Sequence, residues 1–534
     1  FMHFNGMSGE LFFAEMVGHG GALFDYDNDG DLDAFIVQGN MLGSDKQLSD
    51  ALFPPASPEL TDRLYRNDLI QGNKNTGSLH FSDITDSAGI KGPEYGMGAT
   101  TGDFDNDGYV DLYVTNFGLN RLWRNNGDGT FSDVTVSSGT GDPSWSVSAT
   151  FVDFDRDGWL DLYVVNYVEY SVDNNPRCYA RSSRLDYCGP KTFKPAHDRL
   201  YRNLGNGRFE DVTAKTLQDY KPAAGLGVGT GDFNGDGLVD IYVANDAYPN
   251  HLWFGQKDKT LRDDGMFSGV AVNRAGKPEA SMGIDANDFD NDGDLDLFMT
   301  HLTGETNTLY LNQGGGVFDD RTNEFGLAAP SSPYTGFGTA WFDYDNDGWL
   351  DLLVLNGTVR QLEAALLKGD PYPLKEPNQL FRNMLGRGFT NTTATAGPAL
   401  TIPEVSRGAA FGDVDNDGDT DVMIFNNSGR TRLLLNNLGN SRPWLGIRLV
   451  DPASKRDAQG ARIEVLRDNG HPIWRHARVD GSYCTANDPR LLVGLGDNNK
   501  VKSVRIYWPD GTTESWLQPR TGQYTTLYKG DLNN

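Results

Sequence analysis

The stretch Asp25-Tyr26-Asp27-Asn28-Asp29-Gly30-Asp31-Leu32-Asp33 is written seven times, with further copies beginning at Asp103, Asp153, Asp232, Asp288, Asp343 and Asp413. Each reads D-x-[DN]-x-D-G-x-x-D and runs into an apolar segment such as Leu112-Tyr113-Val114. Oxygen ligands at positions one, three and five, with a carboxylate at nine, wrap one hard cation such as Ca²⁺, and glycine at six permits the sharp turn. A solvated Asp/Asn/Gly hairpin is the plain alternative for one copy. Seven copies in fixed register argue against it, because carboxylates packed this closely repel one another without a metal. The candidate ligands are Asp25, Asp27, Asp29 and Asp33; Asp103, Asp105, Asp107 and Asp111; Asp153, Asp155, Asp157 and Asp161; Asp232, Asn234, Asp236 and Asp240; Asp288, Asp290, Asp292 and Asp296; Asp343, Asp345, Asp347 and Asp351; Asp413, Asp415, Asp417 and Asp421. Asn234 lowers the ligand charge of the fourth loop, which should weaken that site.

An EF-hand shares the first half of this loop but requires a bidentate Glu at position twelve and a helix on each side. Position twelve here is Ile36, Val114, Val164, Val243, Met299, Val354 and Ile424, all in strand-like runs. The cation is therefore expected to close a strand-loop-strand turn.

Charge and cysteine narrow the class. The 534 residues hold 46 basic and 74 acidic side chains, for a net charge of −28, and 27 of those acids occupy the ligand positions. Seven divalent ions would halve the excess, so much of the acidity is site chemistry. No basic stripe suits nucleic acid, and no apolar run approaches the length of a membrane helix. Cys178 and Cys188 flank a short polar loop that a disulfide closes easily, with zinc as the alternative; Cys484 is left over, buried or free. A disulfide and many calcium loops favour an extracellular or cell-surface setting, and a start at Phe1 fits a removed secretion signal.

The repeat extends beyond the loop. A small Gly-rich strand precedes it (Gly98-Ala99-Thr100), an apolar strand follows, then Leu122-Trp123-Arg124-Asn125, then Phe131-Ser132-Asp133-Val134-Thr135. Four short antiparallel strands repeated seven times describe an all-β, seven-bladed β-propeller. These residues resemble the FG-GAP/VCBS calcium-loop repeats, which are similar to those of integrin α-subunits, over 20–437. The resemblance implies structural calcium at the positions named above. Residues 438–534 read as a small β-sandwich-like domain and resemble an ASPIC/UnbV domain through Gly460-Ala461-Arg462, Gly481-Ser482-Tyr483, Gly494-Leu495-Gly496 and Trp508-Pro509-Asp510-Gly511. The glycines read as turns and Trp508 as core. Together the two parts resemble the cartilage acidic protein/UnbV-like family.

Loop spacings of 78, 50, 79, 56, 55 and 70 residues place insertions at 39–62, 167–198 and 357–378, between second and third strands. They are expected on the face opposite the acidic loops, where a protein or glycan partner would bind. The third contains a short helix candidate at 360–367. Position fourteen (Gln38, Asn116, Asn166, Asn245, His301, Asn356, Asn426) either lines a pocket or bonds its own turn. Blade seven lacks an outer strand in sequence, and residues 1–19 are expected to pack on it or complete it.

The leading functional expectation is a secreted calcium-binding module for binding, adhesion or assembly, and not an enzyme. One alternative is a carbohydrate-binding or lyase-like propeller, for which His197, His301, Tyr167, Tyr170, Arg360 and Glu363 lie near the loop-rich mouth without a spacing that joins them. The other is a self-assembling filament or surface-layer protein. Asn356, Asn391 and Asn426 begin glycosylation triplets.

Overall fold

The computed structural model describes all residues except 56, 70–78, 469, 498–499 and 532–534. Its described residues form seven sheets in chain order, one per acidic loop, then a separate pair of sheets, with two short two-stranded ribbons in the second insertion. The inner strands are Gly21–Phe24, Tyr95–Gly102, Ser146–Val152, Gly225–Gly231, Ile284–Asn287, Gly336–Phe342 and Ser406–Gly412. Each packs beside the next, and the seventh packs beside the first, so the ring closes. We call the sheets blades one to seven.

Within a blade the loop joins the inner strand to the second, and the position-nine aspartate is the first residue of that second strand, as Asp111 is of Asp111–Phe117. All second strands are buried along their paired lengths, because neighbouring blades cover both faces. Interblade cores follow, with Phe104, Tyr113, Phe151, Leu162 and Tyr201 in one of them. The third strands begin at Arg63, Arg121, Arg199, His251, Thr308, Gln379 and Arg432. Blade seven has three strands.

The N-terminal segment packs on blade seven, as expected, but does not supply its missing strand. Met2 makes one antiparallel bridge to Arg430, and the Thr431 N–H donates to the Phe1 carbonyl at 3.2 Å. From there the chain crosses the ring mouth on the insertion side. Phe13 packs against Trp145, Tyr167 and Phe193 with ring centroids 5.4, 5.5 and 5.1 Å away. The Tyr187 hydroxyl donates to Glu15 at 2.9 Å, and the buried Arg407 donates to the Met16 carbonyl at 2.6 Å. A hydrophobic segment gains more by filling a mouth lined with aromatics than by pairing along a solvated edge.

The insertions lie where the spacing placed them. Cys178 and Cys188 form a disulfide that pins the second insertion, and the third contains a helix at Glu363–Leu367. The position-fourteen side chains tie the turns that lead to the third strands: Asn116 donates to Leu119, Asn245 to Pro249 and Asn356 to Pro377, each at the carbonyl. Gln38 instead holds the N-terminal segment, accepting the Phe4 N–H at 2.8 Å.

The last domain pairs two four-stranded sheets around Leu445, Ile447, Ile463, Val465, Val493, Val504, Ile506 and Trp508. It sits on the acidic-loop face. The segment 478–488, read from sequence as a domain turn, leaves the domain and enters the ring channel, where Thr485–Ala486 pairs in parallel with Gly21 and Ala22. Both ends of the channel are therefore filled by this chain's own residues.

Candidate metal centres

Each loop is shaped by its own carboxylates. Asp25 accepts the N–H groups of Asp29 and Gly30, both at 3.1 Å, and Asp29 accepts that of Asp31 at 2.9 Å. The same bonds recur at Asp103, Asp153, Asp232, Asp288, Asp343 and Asp413. Position nine looks inward. Asp33 accepts N–H bonds from Tyr26 at 3.0 Å and Asn67 at 2.8 Å, joining its loop to the end of the third strand. Position four has a left-handed backbone, with φ of 61° at Asn28 and 57° at Asn106, a conformation that asparagine and glycine tolerate best.

This framework converges acidic oxygens. Asp25, Asp27 and Asp29 bring one oxygen each within 4.8 Å of the others, as do Asp103/Asp105/Asp111, Asp153/Asp155/Asp161, Asp288/Asp290/Asp296 and Asp343/Asp345/Asp347. A buried position-three oxygen has no hydrogen-bond partner at Asp27, Asp105, Asp290 and Asp415. Burial, reinforced by neighbouring aspartates, pushes Asp103 up to about 7, Asp288 to about 8 and Asp33, Asp161 and Asp421 to about 9. Buried oxygens without donors carry a desolvation cost unless a proton or cation satisfies them. An all-oxygen donor set with one charge-rich side suits a hard divalent cation. In the third and fourth loops the position-three oxygen is already used: Asp155 accepts the Asp157 N–H at 3.2 Å and Asn234 that of Asp236 at 2.9 Å.

Arginines that the sequence reading left as strand residues stand beside these acids. Arg124 donates to Asp105 at 2.5 Å and Asp107 at 3.1 Å, Arg202 to Asp155 and Asp157 at 2.8 Å each, and Arg382 to Asp347 at 3.0 Å. The repeated Leu-x-Arg-Asn was the available signal. A second set comes from the last domain: Arg448 lies 3.9 Å from Asp25, Arg456 3.9 Å from Asp153 and Arg475 3.7 Å from Asp343. The Tyr524 hydroxyl donates to Asp413 at 3.0 Å. Two cavities of about 1040 and 930 Å³ remain between the loops and this domain.

The loops also bind one another. Asn28 donates to the Gly108 carbonyl of the next loop, Asn106 to Gly158, Asn291 to Gly348, Asn346 to Gly418 and Asn416 to Gly30. A second ring of bonds runs beneath: Asn125 to the Tyr26 carbonyl, Asn203 to Phe104, Asn312 to Phe233, Asn383 to Phe289, Asn436 to Tyr344 and Asn67 to Val414. Only the joint between blades three and four lacks both among the described residues, because Arg156 and Gly255 stand at the two asparagine positions.

Comparison with known families agrees with this architecture. The FG-GAP-like repeat family matches residues 103–164, 189–243, 232–299 and 288–354, and the ASPIC and UnbV family matches 451–534. The chain therefore carries FG-GAP-like repeats followed by an ASPIC/UnbV domain. Curated relatives are Cartilage acidic protein 1 of Mus musculus, 27% identical over 216 residues, and of Xenopus tropicalis, 28% identical over 176. These alignments cover 39% and 32% of this chain, and only 30% and 26% of the relatives' own lengths. Among solved structures, an Agrocybe aegerita lectin that recognises non-reducing terminal N-acetylglucosamine has a TM-score of 0.37 at 16% identity, covering 71% of this chain and 90% of its own. The V. cholerae biofilm matrix protein Bap1 has a TM-score of 0.26 at 13% identity, covering 79% and 58%. Scores this low bear on neither ligand nor assembly.

Of the six candidate catalytic residues, the FG-GAP ring brings Tyr167 and Arg360 to the lining of one small cavity and packs Tyr167 and Tyr170 against Phe13. His301 is buried between the Thr306 carbonyl and the Ser281 hydroxyl, and Tyr167 donates to Asp246 at 2.6 Å. Tyr170 accepts from the Phe13 N–H, and the His197 ring packs on Tyr220. Arg360 and Glu363 lie on the third insertion. Among the described residues no hydrogen bond or ion pair joins any two of the six.

Proposed function

We propose that this protein is a secreted, calcium-rigidified display scaffold that presents its insertion face to a partner protein, and that it has no catalytic role. The observation that carries the calcium part is the set of buried, unpartnered oxygens on Asp27, Asp105, Asp290 and Asp415 within otherwise bonded loops. In each loop positions one, three, five and nine hold the ion, with Asn234 in the fourth. The bound ion supplies positive charge to a turn between two strands and adds its binding free energy to folding.

The binding part rests on exposed apolar side chains on all three insertions: Leu52, Tyr179, Leu185 and Leu367, the last 80% exposed. The second and third insertions touch, since the Gln361 N–H donates to Asp186 at 3.2 Å. Apolar and aromatic groups on rigid loops are the anchors of protein interfaces. The disulfide and the extracellular-type calcium loops support secretion.

The test is calcium titration of the chelator-stripped chain by calorimetry, followed by capture of candidate extracellular partners on intact protein and on a Tyr179→Ser/Leu367→Ser variant. Calcium binding with unfolding shifted upward, and partner binding lost in the variant, is the expected result. A stripped chain that takes up no calcium would refute the first part. Partner binding untouched by the double substitution would refute the second.

A further inference from the structure

We infer that the second insertion carries a binding site for an anionic polysaccharide, formed by the arginine-bearing hairpin that its disulfide closes and by the groove beside it. The hairpin pairs Cys178–Tyr179 with Leu185–Asp186, Cys178 opposite Asp186 and Tyr179 opposite Leu185. The Ala180 N–H donates to the Arg184 carbonyl at 2.9 Å, which closes the turn, and the Cys178–Cys188 bridge locks the base. Asp186 is buried and accepts the Gln361 N–H of the third insertion at 3.2 Å, so the hairpin is fixed to the protein. Arg177, Arg181 and Arg184 are exposed. A ribbon held this way presents its arginines with little backbone ordering left to lose on binding.

The charge of this hairpin runs against the rest of the chain. Residues 177–194 hold five basic side chains and one acidic, in a protein whose net charge is −28. Elsewhere arginines stand on carboxylates: Arg63 on Asp83, Arg121 on Asp133 and Arg199 on Asp211 along the third strands, besides those at the acidic loops. Arg177, Arg181 and Arg184 have no ion pair or side-chain hydrogen bond among the described residues. The one acid of the stretch is the buried Asp186. Lys191 is taken up over the Tyr248 ring, 3.3 Å from its centroid, and Lys194 faces Glu169 across a second ribbon. Three free guanidinium groups within eight residues suit the oxygens of carboxylate or sulfate groups spaced along a chain.

The neighbouring groove selects the kind of anionic chain. A cavity of about 440 Å³ opens on the second insertion, lined by Tyr170, Phe193, Asn174, Thr192, Glu169 and Pro176, and Pro176 leads directly into Arg177. That volume falls within the range of small-molecule sites, about 300–1,000 Å³. Its two rings are held in place. They meet edge-on with centroids 5.3 Å apart, and Phe193 stacks on Phe13. The Tyr170 hydroxyl accepts the Phe13 N–H at 3.2 Å and donates to Asn175 at 3.0 Å. Asn174 and Thr192 are exposed, and their side chains bond nothing else among the described residues. A fixed aromatic wall suits the C–H face of a sugar ring, free amide and hydroxyl groups suit its hydroxyls, and the arginines suit its acidic substituents. An acidic peptide would use the arginines and leave the polar rim idle. The site uses neither Tyr179 nor Leu367, so it stands or falls apart from the protein-partner reading.

The test uses the full chain in fixed millimolar calcium, with calorimetry against a galacturonate hexamer, dextran sulfate, neutral dextran and poly-glutamate. The expected result is binding of an anionic polysaccharide and none of dextran; the hexamer assigns carboxylate, and dextran sulfate alone assigns sulfate. Arg177→Ser/Arg181→Ser/Arg184→Ser should weaken that binding at least about tenfold, and Asn174→Ala/Thr192→Val at least about threefold. Poly-glutamate should bind more weakly and ignore the groove pair. All five substituted side chains are exposed, so both variants should keep the wild-type thermal midpoint. Failure to bind either anionic polysaccharide, or binding that the arginine variant retains in full, overturns the site. Poly-glutamate bound as tightly, or a groove pair without effect, overturns the polysaccharide in favour of an acidic peptide.

Discussion

The side-chain amide of Asn28 donates to the carbonyl of Gly108 at 2.8 Å, so the first acidic loop is held by the turn glycine of the second. Five such bonds run round the ring, and the left-handed backbone at position four aims each amide at its neighbour. Six of the seven loops are thus one connected belt, with the fourth outside it, and a cation in one of them stiffens a turn that its neighbour also uses.

Restoring one of the two missing links should stabilise the protein. Arg156 occupies position four with φ of 58° and sends its guanidinium out to the Pro509 carbonyl. Arg156→Asn places a residue that tolerates this backbone beside the fourth loop and joins that loop to the belt on one side. One added hydrogen bond is worth about 0.5–1.5 kcal/mol. Urea unfolding should show the midpoint rising with an unchanged slope, and Asn106→Ala should lower it by a similar amount.

Asp105→Asn separates metal binding from packing. The Asp105 carboxylate has one buried oxygen without a partner, and its other oxygen meets Arg124. The variant should bind one fewer calcium ion. Without calcium it should be as stable as wild type or more so, because a like charge has left the cluster. Equilibrium dialysis and unfolding in chelator measure the two separately.

The mouth cover should be pH-sensitive. Burial raises Glu15 to about 7 from an ordinary 4.5, against the lowering effect of the Tyr187 hydroxyl bond. The folded state therefore holds a proton that the unfolded chain releases between those values. Its stability contribution is greatest below about 4.5, falls as pH rises to about 7, and is level above. Glu15→Gln should flatten this slope between pH 5 and 8, read as the thermal midpoint in calcium.

Phe13→Ala should detach the same cover. The ring is 1% exposed among Trp145, Tyr167 and Phe193. Losing a buried phenylalanine costs about 3–5 kcal/mol. Limited proteolysis should then cut within residues 1–19 while the blades resist.

The repeated part of this architecture was legible because each element carries a local signature. The D-x-D-x-D-G-x-x-D loops gave the number of blades and the inner-to-second strand connection, and Leu-x-Arg-Asn gave the third strand. What was hidden is long-range. Gly481-Ser482-Tyr483 reads as a turn because nothing local distinguishes a loop that bonds solvent from one that bonds distant inner strands, as Ser482 does at Ile284 and Ala409. The inner-strand glycines showed only that something lies close, and at Gly20 and Gly98 that is Cys484. The Asn at position four was visible in five loops, but its partner sits one blade away. Phe12 and Phe13 announced burial without saying against which surface.

The most direct test of the calcium scaffold is the thermal unfolding of chelator-stripped chain as calcium is added from zero to 5 mM, with retained metal counted by mass spectrometry of the intact protein. Each site held at a hundred times its dissociation constant adds about 2.7 kcal/mol to the folded state. The account predicts a midpoint that climbs by at least about 10 °C as several ions load. A midpoint that stays fixed across that range, with no metal retained, would contradict it.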